Sequence, residues 1–496
     1  MSFFDSLFSS NERTEQEEAA SPSNGFQLAL LGYVAKTMPP KDSLGRILKK
    51  DPHFIMGHIL VGVSNYLYPR LHSDSLDARR HVDLAKKLVS SGHASKLDKM
   101  HVHALDALVH GRFREASVAY ESILREDTTD LLALQCTVDV YTILGDKRNM
   151  LEAVSRVLPQ WPSSHPGYSH ILSLQAFGLQ EMGDFGAASS LAQRAMSMND
   201  HDAVAFHALL HTFECQGNHS DGASVVMRNE DSWSKYRLVH AHLTVHWIYF
   251  LIETGRFDRV ETLLRNDVFV AGEVISAQTL VDATQVYWRL RLAGYDAPHL
   301  LDLLDEQWQF VIKDATDIPL TPLAALHAHS IFTLQRPDDE SAKDLIPQEA
   351  FTCDVEALRT SLETPVVLTF SHALPGNGER NILSKLTEAL TAYAKGDYNQ
   401  AVDKLLAVRG FLHVLGGTRV EAELWELLLI DAAKRGSQLD IAKLLLNERI
   451  NVKPQSAQYW KTYGDVLEAQ DDQDGVDGAR RMSYVLGLGQ AGTGAS

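Results

Sequence analysis

Between residues 26 and 486, apolar residues recur at i, i+3, i+4 and i+7 in nearly every segment, while the alternation of period two that marks strands is almost absent. The pattern predicts an all-α chain, with early helices over 26–38, 54–67 and 76–92. Residues 1–25 and 487–496 lack the periodicity and are rich in small and polar residues, which predicts a disordered tail at one end and a flexible one at the other.

The helical pattern repeats. Glycine turns followed by a polar or aromatic pair stand at Gly111, Gly145, Gly183, Gly217 and Gly255, with spacings of 34, 38, 34 and 38 residues. A tetratricopeptide unit is about 34 residues of helix–turn–helix, so two spacings match and two carry roughly one extra helical turn. In the first unit Gly111 ends a helix, Phe113 covers the turn, Ala116 permits close helix approach, and Tyr120 and Ile123 fill the interface between units. Phe185, Ala188, Ala192 and Ala195 repeat this after Gly183. The pattern returns at Gly396 and Gly436 and in a last copy with Trp460, Tyr463, Gly464 and Leu467. The expected architecture is a tetratricopeptide-type helical solenoid, an α–α superhelix, in open or closed compact form. Its divisions are an N-terminal helical cap over 26–100, repeats over 101–267, a degenerate helical segment over 268–390 and C-terminal repeats over 391–486. Pro319, Pro322, Pro337, Pro347, Pro365 and Pro375 are expected to break the degenerate segment into short pieces.

Length, charge and cysteine content narrow the function. The 496 residues exceed a single ordinary core, as a stacked array allows. A net charge of −18 argues against nucleic acid and anionic membrane as partners. Cys136, Cys215 and Cys353 are isolated, which excludes a disulfide framework and a thiolate zinc site. The stretch Val245 to Ile252, eight residues with His246 among them, is far short of a membrane span. With no basic and apolar leader at the start, a cytoplasmic location is expected.

One constellation could carry chemistry. His207, His211 and Glu214 in HALLHTFE share a helical face, and His242 and His246 in HLTVHW follow one repeat later. Two imidazoles a turn apart can chelate a divalent metal ion, and a carboxylate a turn further along could be a third ligand or a general base. These five residues are therefore the candidate catalytic and metal-binding set. The spacing is HxxxH without an adjacent Glu, so a zinc-protease motif is not present. The plainer alternative is that the histidines line adjacent inner helices and hydrogen-bond one another. Cys215 is expected to be a small core residue, LPGNGERN (374–381) a turn, and DDQD (471–474) a solvated loop.

Residues 51–58 (DPHFIMGH), 97–102 (LDKMHV), 207–214 and 246–255 (HWIYFLIETG) give the chain, over roughly 26–460, a segment order that resembles the tetratricopeptide repeat protein 38 family. The resemblance implies a cytosolic helical-repeat protein without an established reaction. It also implies that His58, His101, His207, His211, His242, His246, Trp247 and His329, with Glu214, are the polar positions to watch as ligand contacts. The chain departs from the family pattern at Glu421, Ala422 and Glu423, where Gln-Arg-Asp is expected, and at Leu243, where Asn is expected. The leading functional reading is a binding or scaffold protein that engages a protein segment or small ligand in its concave groove. The rival is an enzyme, metal-dependent or not, working through the His/Glu cluster.

Overall fold

In the computed structural model of the chain, residues 22–92, 94–315, 317–338 and 378–487 are described. Among them are twenty-four α-helices and no β-strand, with one isolated β-bridge between Leu71 and Ile275. Helix hairpins follow one another: α1 (Pro22–Val34) with α2 (Pro40–Lys50), α3 (Ile55–Leu67) with α4 (His72–Ser90), α5 (Lys96–Val109) with α6 (Phe113–Glu126), and α7 (Leu131–Leu144) with α8 (Lys147–Val157). Next come α9 (Tyr168–Met182) with α10 (Phe185–Met198) and α11 (Ala203–Gln216) with α12 (His219–Arg228). A single turn, α13 (Glu230–Trp233), leads into α14 (His240–Glu253) and the short α15 (Val260–Leu263). Then α16 (Ala277–Leu292) pairs with α17 (Pro298–Lys313), and α18 (Pro322–Gln335) packs on α19 (Gly378–Ala394), which pairs with α20 (Tyr398–Val408). The last hairpins are α21 (Arg419–Arg435) with α22 (Leu439–Val452) and α23 (Ala457–Ala469) with α24 (Gln473–Gly487). This is a tetratricopeptide-type helical-repeat fold.

The predicted turns fall between helices. Gly111, Gly145, Gly183, Gly217, Gly255 and Gly396 all have φ between +66° and +91°, a conformation that Gly adopts without Cβ strain. At Gly145-Asp146, Gly183-Asp184 and Gly396-Asp397 the next residue caps the following helix, its carboxylate accepting from a backbone N–H three residues on. Gly436 differs: its φ is −79°, and Ser437 takes the left-handed position at +57°.

Several boundaries differ from the sequence reading. Helix α1 begins at Pro22, inside the stretch read as a tail, and residues 1–21 and 488–496 lie outside the described ones. The N-terminal helices are not simply stacked as a cap. The loop after α1 reaches into the superhelix, where the carbonyls of Ala35, Lys36 and Thr37 accept from the backbone N–H groups of Ala203, Leu238 and Arg237 at 3.2, 3.3 and 3.2 Å. The first part of the segment read as degenerate, residues 277–313, continues the array with full-length helices α16 and α17, turned by Gly294 at φ +88°. Pro322, read as a breaker, opens a helix instead, as Pro298 also does, since a first-turn proline sacrifices no intrahelical hydrogen bond. Pro347, Pro365, Pro375 and Cys353 lie outside the described residues.

Outer helices bury one stripe; α10 buries Ala188, Ala192 and Ala195. Inner helices α7, α9, α11, α14, α16 and α18 are buried on nearly every side. A helix apolar all round needs cover on both faces. Here outer helices supply one cover and the chain's own C-terminal repeats the other: α21 lies across the interior against α11 and α16. The solenoid is thus closed on itself, and the two large apolar cores meet along α11.

Closure brings bare backbone together at the α7–α8 turn. The N–H of Gly417 donates to the Thr142 carbonyl at 2.8 Å, and a Cβ on Gly145 would collide with the His413 carbonyl oxygen. Gly255 has the same positive φ with nothing within 4 Å. Gly255→Ala should therefore cost only the backbone term, about 1 kcal/mol, and Gly145→Ala distinctly more because it also forces the C-terminal repeats away. Denaturant titration of both variants checks this; equal losses would mean that the closing contact yields freely.

Candidate functional site

Helices α11 and α14 are neighbouring inner helices, and they carry the histidine pairs to one point. His207 Nε2 lies 2.9 Å from His242 Nε2 and 3.1 Å from His246 Nε2, and the latter two are 3.3 Å apart. One ring nitrogen from each of His207, His211, His242 and His246 lies within 4.8 Å of the others. Phe177 of α9 stacks on His207, with ring centroids 5.5 Å apart, and presents its ring edge-on to His211. Carboxylates hold two of the rings from behind. Asp282 Oδ2 of α16 accepts from His242 Nδ1–H at 2.8 Å, and His211 Nδ1 lies 3.3 Å from the Gln180 side-chain amide and 3.6 Å from Glu181 Oε1, both of α9. The Nε2 of His211 is buried with no hydrogen-bond partner.

The electrostatics follow from this packing. Burial first, then its histidine neighbours, push His207 well below the ordinary histidine range, and His246 follows for the same reasons. Burial also opposes protonation of His242, but Asp282 overcomes it and raises that group. Burial would raise Glu181 too, yet Lys147 and His211 hold it at about 2.

His207, His242 and Asp282 stand on the wall of a cavity of about 260 Å³ that is partly open to the outside. The same wall carries Gln135, Asp139 and Tyr68, with the Tyr68 hydroxyl donating to Asp139 Oδ1 at 2.6 Å. It also carries Lys36, only 2% exposed, whose Nζ sits 3.6 Å from the Tyr68 ring centroid and has no hydrogen-bond acceptor. Burial lowers Lys36 to about 8, against the pull of Asp139.

The other sequence-selected residues lie elsewhere. Glu214 is seven residues from His207, on the same angular face but about 10.5 Å further along the axis. There it joins a buried ionic cluster with Lys453, His219 and Arg289 at 3.4, 3.5 and 3.8 Å. Trp247 is core, packed edge-on against Trp233. His58 contacts His81 Nδ1 and the Pro52 carbonyl, each at 3.0 Å. His101 braces Asp130, the cap of α7, at 2.7 Å. His329 ties α18 to the Thr387 carbonyl of α19 at 3.2 Å. Cys215 is a free, buried core residue. Sequence reasoning missed Asp282, Glu181, Phe177 and Lys36. A lone Asp inside TLVDATQV was the available signal for the first. Of the family departures, Glu421 lines the cavity, Glu423 joins the ionic cluster, and Leu243 is fully buried.

The fold and site together define a closed helical-repeat protein with a polyhistidine centre. No protein-family model matches the chain. Similar solved structures include the yeast Tom70 (TM-score 0.24, 13% identity, covering 80% of this chain and 94% of that one) and the TPR domain of P58(IPK) (0.21, 10%, 79% and 93%). Another is Naa15/Naa10 bound to HypK-THB (0.21, 12%, 82% of this chain), of whose matched chain this one spans 60%. No helix among the described residues is long and apolar enough to cross a membrane.

The ionic cluster that holds Glu214 gives a prediction. Lys453 Nζ lies 2.6 Å from Glu423 Oε2, and Arg449 Nη2 lies 2.8 Å from Glu423 Oε1. Burial would raise both carboxyls, but Lys453 and the nearby arginines hold Glu423 at about 2, and Lys453, His219 and Arg289 hold Glu214 below the usual range. Depressed carboxyls contribute stability that is complete above their unfolded pKa, roughly 4.3, and that is lost as pH falls through the folded value. Lys453→Met should cost on the order of 3–5 kcal/mol at pH 7 by leaving buried charge undercompensated. The gap to the parent should shrink as pH falls from about 4.5 towards 2. Thermal unfolding across that range checks it, and a constant gap would remove these carboxylates from the account.

Proposed function

We propose that this is a helical-repeat binding protein whose ligand is a small molecule held in the interior cavity beside the histidine cluster. The observation that carries this reading is the cavity whose wall holds His207 and His242 together with the buried Lys36, with His211 and His246 packed directly behind. The concave surface that a repeat protein of this class would offer to an extended peptide is covered by α21. What remains is a partly open cavity of ligand size, apolar over much of its wall, with a few convergent polar groups.

The chemistry of the wall narrows the ligand. Lys36 is a buried ammonium without an acceptor, so a ligand with a carboxylate or other anionic oxygen group would complete it. Phe177, Leu174 and Val138 favour an apolar body. We also assign the chain to the tetratricopeptide repeat protein 38 family, since two of the segments that carry the resemblance, 207–214 and 246–255, supply three of the four cluster histidines.

Native mass spectrometry of purified protein, with extraction of what co-purifies, tests the reading. A small anionic molecule is expected on the parent, absent from the cavity-filling variant Val138→Trp, and bound roughly tenfold or more weakly by Lys36→Met. Undiminished ligand in Val138→Trp, or a peptide recovered instead, would overturn it in favour of a scaffold role.

A further inference from the structure

We propose that His207, His242 and His246 hold a divalent first-row metal ion, zinc foremost, through their Nε2 atoms, with His211 as a fourth nitrogen within reach. The site deepens the cavity reading at the same cluster but stands on the distances between the ring nitrogens, not on the cavity.

The first argument is size. Zinc binds imidazole nitrogen at about 2.0–2.1 Å, so neighbouring ligand nitrogens around one ion are roughly 2.9–3.4 Å apart, from octahedral to tetrahedral arrangement. The three Nε2–Nε2 distances here are 2.9, 3.1 and 3.3 Å. A triangle of that size has a circumradius of about 1.8 Å, so an ion about 1 Å out of its plane reaches all three nitrogens at bonding distance.

The second argument is proton counting. A neutral imidazole Nε2 carries either a hydrogen or a lone pair, never both. Three nitrogens in mutual contact form a ring with an odd number of contacts, so every assignment of hydrogens sets at least one like pair against each other. Hydrogen bonding alone therefore cannot satisfy the trio. A single cation satisfies three inward lone pairs at once.

The third argument is the surroundings. Metal-bound histidines characteristically give their other ring N–H to a carboxylate, which fixes the tautomer. Asp282 does this for His242 at 2.8 Å, leaving its lone pair on Nε2. Glu181 stands behind His211, whose Nε2 is a buried, unpartnered donor atom. His211 and His246 are sealed in the protein, while His207 and His242 line the cavity. An ion here would have its free coordination positions turned towards the chamber, where a water or a ligand oxygen would fit. The all-nitrogen donor set selects zinc, copper, nickel or iron over magnesium and calcium.

The test uses the full chain, purified without an affinity tag that binds metal. Elemental analysis after dialysis against zinc should give one ion per chain. X-ray absorption at the zinc edge should give three or four nitrogen neighbours at about 2.0–2.1 Å. Cobalt loading should produce a visible d–d spectrum. Zinc occupancy should vanish in His242→Ala with His246→Ala, and affinity should fall about 10- to 100-fold in Asp282→Asn. His58→Ala, which removes the separate His58–His81 contact, should change nothing. The proposal fails if the parent takes up no stoichiometric metal, if absorption reports oxygen or sulfur neighbours instead, or if zinc survives the double substitution. The absorption measurement needs only the parent, so misfolding of a variant leaves the proposal decidable. A metal-loaded protein with no small-molecule ligand would refute the cavity reading and leave this one standing.

Discussion

The closed form of this protein rests on charges buried between its two halves. Glu214 belongs to the N-terminal array and Lys453 and Glu423 to the C-terminal repeats, and Arg289 reaches both carboxylates from α16, at 3.8 and 3.6 Å. None of these groups could bear such burial alone. Together they cancel, and Tyr459 and Arg449 take the remaining acceptor capacity of Glu423. Such a cluster adds little net stability over apolar packing, but it admits very few relative placements of the halves. Arg419 adds a second bond of this kind: its backbone N–H donates to Glu181 Oε2 at 3.0 Å and its guanidinium to the Glu181 carbonyl.

Glu181 is therefore a hinge between architecture and chemistry. One carboxylate meets the C-terminal repeats through Arg419, the outer helix α8 through Lys147 at 3.0 Å, and the histidine cluster through His211. Docking of the last repeats and orientation of a site histidine are thus coupled through one side chain. The histidine chamber takes its shape only when the chain has closed.

The helical class and the repeat turns were legible in the sequence because both depend on local physics. Gly145-Asp146 and Gly183-Asp184 encode a left-handed residue and a helix cap within two positions, and no distant contact is needed to read them. Burial of α7 was also latent in its largely apolar sequence, whereas α16, with Asp282, Gln285 and Arg289 among its buried residues, gave no such signal. What covers the inner helices was not legible, since α21 arrives from more than 200 residues downstream of α11. Proline misled for a related reason: Pro322 reads as a breaker until the helix is seen to begin at it.

At the site, the sequence located four histidines and misjudged Glu214. The reason lies in helix geometry. His207 and His211 are one turn apart and their rings can lean to a common point, whereas Glu214 sits two turns from His207 and is drawn to other partners. Neighbouring repeats then do the rest. His207 and His242 are 35 residues apart, close to one repeat length, so stacking brings them abreast at contact distance. The orienting carboxylates come from the flanking inner helices, Glu181 from α9 before and Asp282 from α16 after. Four successive inner helices, α9, α11, α14 and α16, thus each contribute to one small centre. A repeat array can place side chains in this way without any loop, because the register of each helix is already fixed by the packing of its neighbours.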